Sequence, residues 1–129
     1  MLNKNLYEEI NLFKEACPHF DELQKTVGKI IKQFNSNLKN INVLEIGCGT
    51  GSTTKAILEC DNRARILAVD KDAKSLNYSK LLLRNYVRTK RVKFFKNDAL
   101  KFLKSCNNSS FYIFASVFTL HNFNKRYRE

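Results

Sequence analysis

The chain has 129 residues, 43% of them hydrophobic, enough for one globular domain with a modest core and too few for a separate substrate domain. No apolar run approaches the roughly eighteen residues of a membrane helix, and the start, MLNKNLYEEI, lacks an apolar signal region, so a cytoplasmic protein with no membrane partner is expected. The formal net charge of +11 admits nucleic acid as a partner, yet the basic excess between residues 71 and 104 (Lys80, Arg84, Arg88, Lys90, Arg91, Lys93, Lys96) has no interleaved aromatic platform and reads better as a solvated face.

Leu6, Ile10, Phe13 and Cys17 recur at helical spacing, and Pro18 ends this first helix, residues 3–17. A second amphipathic helix over residues 20–34 carries Phe20, Leu23, Val27, Ile30, Ile31 and Phe34 on one stripe. Gly28 in its middle costs about 1 kcal/mol relative to alanine, so this helix depends on tertiary packing. Both helices are expected to cover the sheet that follows, which the polar linker NSNLKN introduces.

The next stretch, INVLEIGCGTGSTTKAIL, reads as strand (residues 42–46), tight turn and helix (residues 52–60). Val43, Leu44 and Ile46 form the short, nearly unbroken apolar run of a parallel strand buried on both faces. Gly47, Gly49 and Gly51 allow positive φ and remove the Cβ atoms that would hold a ligand away. Ser52, Thr53 and Thr54 are candidate caps, and the unpaired N–H groups of the helix favour a carboxylate or phosphate above the turn. A dinucleotide fingerprint would place glycine where Ser52 stands, which disfavours NAD. Cys48 fits the turn as a small packing residue, although a helix N-terminus there could lower its pKa. Cys17, Cys48, Cys60 and Cys106 form no CxxC pair, and with only two histidines beside them they read as reduced thiols rather than metal ligands.

Glu45-x-Gly47-x-Gly49-x-Gly51 at the end of a strand resembles the first motif of class I S-adenosylmethionine-dependent methyltransferases. The resemblance implies that Glu45, or the backbone beside it, lies near the methionine ammonium, and that the turn, Cys48 included, passes under the cofactor. It also implies that the N-terminal helices fold over the cofactor, with Tyr7 the residue to test.

A second buried strand, RILAVD, ends in Asp70, an acid about twenty residues beyond the glycine turn, as a ribose requires. The following KDAKSL resembles the family's second motif, which places Asp70 on the ribose with Lys71 beside it; Asp72 reads as the cap of the next helix. That helix, residues 73–85, presents Leu76, Leu82 and Leu83 inward and Lys80 and Arg84 outward. A third strand, RVKFF, leads to Asn97-Asp98-Ala99, where the resemblance puts the adenine: the Asp98 carboxylate takes the exocyclic amine and a backbone N–H near Ala99 meets a ring nitrogen. Asp98 also reads as the N-cap of a short helix, LKFL.

Residues 111–115 read as a fourth strand, with Tyr112 where many methyltransferases carry an acid. VFTLHNF follows where the family has a loop over the reactive methyl. His121 is the one group near this loop with a pKa suited to general base work, and packing is the alternative for it. Thr119 and Asn122 are candidates to line the methyl site, and Phe118 to face the sulfonium.

The fold class expected is α/β: a Rossmann-like parallel sheet, strand order 3-2-1-4, forming the N-terminal half of a class I methyltransferase fold and preceded by two helices. One domain spans residues 1–129, with the helices in 1–40 and the cofactor-binding core in 41–129, ending after strand 4 with that strand exposed. The function implied is methyl transfer from S-adenosylmethionine to an unidentified acceptor, expected to be a small molecule. The alternative is a non-catalytic chain that acts through a homo-oligomer or complementing polypeptide at the strand 4 edge. A nucleotide-binding Rossmann half is a third, disfavoured reading.

Overall fold

The computed structural model describes residues 4–34, 37–106 and 110–117. Two helices, α1 (Lys4–Ala16) and α2 (Phe20–Lys32), precede β1 (Ile41–Ile46), α3 (Ser52–Cys60), β2 (Ala64–Asp70), α4 (Ala73–Leu82), α5 (Arg84–Arg88), β3 (Val92–Lys96), α6 (Ala99–Ser105) and β4 (Ile113–Ala115). The strands form one parallel sheet in the expected order, β3-β2-β1-β4, with Ile41 opposite Ala64, Ile66 opposite Val92 and Val43 opposite Ile113.

Alternation along β1 sorts two cores. Ile41 and Val43 pack with Ile31, Ile57, Leu58, Leu76 and Leu83 beneath α2, α3 and α4. Leu44 and Ile46 meet Val69, Ala99, Phe102 and Phe111 on the α6 side. Helices on both faces make β1 and β2 buried strands, hence their continuous apolar character.

The buried face of α2 is Phe20, Gln24, Gly28 and Ile31. Leu23 and Ile30, assigned inward from the sequence, are exposed, Ile30 by 62%. Gly28 causes the rotation: a Cβ there would lie 2.7 Å from both the Ala56 carbonyl oxygen and Cys60 Sγ, so the two helices touch backbone to backbone. The carbonyls at the end of α2 are satisfied by Arg63, whose Nη2 donates to Lys32 O and Phe34 O at 3.1 and 3.2 Å while pairing with Asp61.

The single helix expected over residues 73–85 is two, broken at Leu83 (φ −107°, ψ 25°). The buried face is Leu76, Ser79 and Leu83 at i, i+3 and i+7, which leaves Leu82 outside, contrary to the sequence assignment. Asp72 caps α4 as expected, accepting from Ser75 N–H at 3.0 Å. β4 is shorter than residues 111–115, although Tyr112 N–H still donates to Asn42 O.

Lys80, Arg84, Arg88, Lys90, Lys93 and Lys96 are exposed, but Arg91 departs from the solvated face assigned to it. Its guanidinium lies over the Tyr86 ring, 5.2 Å from the centroid, and donates to Leu58 O and Asp61 O. Among the described residues no helix is long and apolar enough to cross a membrane.

Candidate functional site

In the order β3-β2-β1-β4 the crossovers diverge at β1, and the crevice beyond the carboxyl ends of such strands is where open α/β sheets bind ligands. A cavity of about 610 Å³ lies there, a size suited to a small molecule. Its floor includes Gly47, Cys48 and Gly49 from the β1–α3 turn and Asp70 and Lys71 from the tip of β2. Asp98 and Ala99, at the start of α6, complete the set of sequence-predicted residues that line it.

The glycines earn their places differently. Gly47, Gly49 and Gly51 all have positive φ (71°, 51° and 86°). A Cβ on Gly49 would meet nothing within 4 Å, so this stretch of backbone is open to an approaching ligand. Gly51 does not line the cavity; its absent Cβ makes room for Ser79, whose Oγ would stand at 3.0 Å. Ser79 Oγ in turn donates to Gly49 O at 2.8 Å, so α4 braces the turn from behind.

Asp70 is held by backbone. Gly49 N–H donates to Oδ2 at 2.8 Å and Asp72 N–H to Oδ1 at 2.9 Å, which fixes the carboxylate with acceptor capacity on each oxygen unused. Asp98 accepts from Leu100 and Lys101 N–H at 3.1 and 3.0 Å through Oδ1, capping α6.

Glu45 lies elsewhere. It shares the strand face of Val43, is 2% exposed, and accepts a 2.6 Å hydrogen bond from Thr54 Oγ1 beneath α3 rather than lining the cavity. Burial, with the charge of Asp70 nearby, raises its pKa from 4.5 to about 7 against the opposing Thr54 bond. The capping role assigned to Ser52, Thr53 and Thr54 does not occur either. Gly51 is the N-cap of α3 without a side-chain bond, Thr54 serves Glu45, and Thr53 Oγ1 donates to buried Gln24 Oε1 at 2.5 Å. Burial, with the charges of Glu45 and Asp70, pushes the Cys48 thiol far above its ordinary value, so the helix N-terminus does not activate it.

Thr50, Ser52, Thr53 and Gln24 also line the cavity, as do Leu6, Glu9, Ile10 and Phe13 along one face of α1. Their i, i+3, i+4, i+7 spacing is a signal the sequence carried, with Glu9 the one polar member. Tyr7 points to a neighbouring groove instead, with Asn11 and Tyr78. His121, Phe118, Thr119 and Asn122 lie outside the described residues. The four cysteines are free thiols, and no cluster of three metal-ligating side chains stands among the described residues.

A family model described as a methyltransferase domain matches residues 43–129. Malonyl-[acyl-carrier protein] O-methyltransferase of Priestia megaterium is 35% identical over 74 residues, covering 54% of this chain and 27% of that protein. Among solved structures, a protein of Methanococcus maripaludis superposes with a TM-score of 0.65 at 14% identity, over 79% of this chain and 44% of that one. An S-adenosylmethionine-dependent methyltransferase from Geobacter sulfurreducens, in complex with S-adenosylhomocysteine, gives 0.61 at 18% identity, over 78% and 37%. The chain thus spans less than half the length of each of these relatives, and the structural likeness is one of fold.

Proposed function

The chain belongs to the methyltransferase-domain family, and from that membership we propose that it binds S-adenosylmethionine in the cavity at the strand tips and presents the methyl group to a small-molecule acceptor. The observation that carries this reading is the meeting, around one cavity, of an open glycine backbone, a backbone-fixed Asp70 and Asp98 at the head of α6. When bound, the cofactor supplies a methyl group activated by its sulfonium. The chain's own residues then hold and orient. The amino end of α3 favours a carboxylate above Thr50 and Ser52. Asp70 has lone pairs free for two ribose hydroxyls, and Asp98 for an exocyclic amine, without giving up their backbone bonds. Fixing the donor in this way lowers the barrier through orientation and needs no covalent intermediate on the protein. A small acceptor is favoured because Leu6, Ile10 and Phe13 roof the cavity, and a polymer would have to displace α1.

A second reading draws on β4. Among the described residues its outer edge is unpaired, and Tyr112 and Phe114 are 56% and 53% exposed, which suits a chain that acts by pairing with another polypeptide.

Calorimetric titration with S-adenosylmethionine and S-adenosylhomocysteine tests the first reading, with Asp70→Ala and Gly49→Val as controls of verified fold. Micromolar binding lost in both variants is the expected result. A folded wild-type chain that binds neither ligand would overturn the cofactor reading and leave the second.

A further inference from the structure

A glutamine on the inner face of a helix carries two polar ends, a carbonyl and an NH2, into a place where each needs a partner. Gln24 is such a residue: it lies between Phe20 and Gly28 on the buried face of α2 and is 5% exposed. Its Oε1 accepts from Thr53 Oγ1, in the first turn of α3. Its Nε2 donates to no described residue. The side-chain polar atoms that are both sealed and unbonded among the described residues are Arg91 Nε and Ser116 Oγ. Gln24 Nε2 is unbonded without being sealed, so it opens on the cavity that its side chain lines.

Strand order locates this donor. β3, β2 and β1 lie side by side, about 4.8 Å apart, and their carboxyl ends lead in that order to Asp98, Asp70 and the glycine turn. Gly49 N–H reaches from the turn to Asp70, joining the second station to the third. The bond to Thr53 holds Gln24 at the third, where α3 begins. With adenine at Asp98 and ribose at Asp70, the amino-acid group of the cofactor extends over this third station. What the cavity offers there is a set of donors: the Gln24 amide and the first N–H groups of α3, which carry no side-chain cap. In an amino-acid zwitterion the carboxylate accepts and the ammonium donates, so the donors select the carboxylate.

We propose that Gln24 Nε2 donates to the carboxylate of the cofactor's amino-acid group, so that α2, oriented by the Thr53 bond, supplies a binding residue to the site. This rests on the cofactor reading above. The test compares S-adenosylhomocysteine with its decarboxylated analogue, which keeps the adenosine, the sulfur and the amine but lacks the carboxylate. The wild-type chain should prefer the first. Gln24→Met keeps the length of the side chain without the N–H, and Gln24→Glu still accepts from Thr53 but sets an oxygen where the N–H was. Each should weaken S-adenosylhomocysteine about tenfold or more, the usual value of a hydrogen bond to a charged group, without weakening the analogue. Asp70→Ala should weaken both ligands alike. Where one Gln24 variant fails to fold, the other decides. Wild-type affinity for S-adenosylhomocysteine in a folded Gln24 variant would overturn the assignment while leaving the cofactor reading intact. Parallel weakening of both ligands would also overturn it, since that is the mark of a displaced α2. If the wild-type chain bound neither ligand, the cofactor reading and the Gln24 assignment would fall together.

Discussion

Glu45 is a carboxylate removed from water with one hydroxyl to compensate, and its cost has a sign. Between pH 4.5 and about 7 the folded chain holds a proton there that the unfolded chain has released, so stability falls as pH rises through that window and levels off above it. The shift corresponds to about 3 kcal/mol. Glu45→Gln, which can still accept from Thr54, should flatten this part of the pH–stability profile and raise the unfolding midpoint at pH 8; a profile as steep as that of the wild type would show that the group titrates normally. Whereas the bond that holds Asp70 comes from Gly49 on another strand tip, the positive φ at Gly49 and the α6 cap at Asp98 were legible in the sequence because each answers a local demand. The destination of Glu45 was less so, since it depends on strand parity: with Ile41 and Val43 on the α3 side, Glu45 must follow them. Ser52 and Thr53 were misassigned for a related reason. A cap is a local motif, whereas the Thr53 bond to Gln24 is made by a helix docked from elsewhere in the chain.

At the level of elements, α2 shows how a glycine can decide which face is buried. An apolar stripe was visible in its sequence, but it was broad enough to be centred in more than one way, and the choice was made by the one position where α3 could approach. The close contact at Gly28 involves a backbone carbonyl, which cannot swing aside. Gly28→Ala should therefore lose stability, the strain of overpacking of about 1–3 kcal/mol outweighing the helical preference of alanine. A urea midpoint equal to or above the wild-type value would mean that the helices can part without loss. The break between α4 and α5 was hidden for another reason. Residues 73–85 contain no proline or glycine, and the interruption at Leu83 accompanies the burial of that side chain in the sheet core. In α1 the spacing was legible, but what it faced was not: the helix has no fully buried residue, and its apolar face roofs a cavity rather than a core.

For the molecule as a whole, the alternation of strands with helices was legible, because apolar runs alternating with amphipathic helices imply a parallel sheet, while the strand order was implied by the resemblance of the glycine motif to a known family rather than by the pattern itself. The surface was harder to read. The basic excess looked uniform in sequence, yet Arg91 clamps the carbonyls of Leu58 and Asp61 while its basic neighbours face solvent. Among the described residues the outer side of β4 combines unpaired backbone with exposed Phe114, a template for edge-to-edge pairing. Light scattering on a concentration series should show self-association that Phe114→Lys reduces, and a mass independent of both concentration and this substitution would refute the pairing. The same topology sets an order of assembly. β1 meets β2 across a single short helix, whereas its other neighbour, β4, arrives only after the chain has passed through α4, α5, β3 and α6. Closing that longer loop costs more chain entropy, so the β1-α3-β2 unit, which carries the glycine turn, should nucleate folding and β4 should dock last.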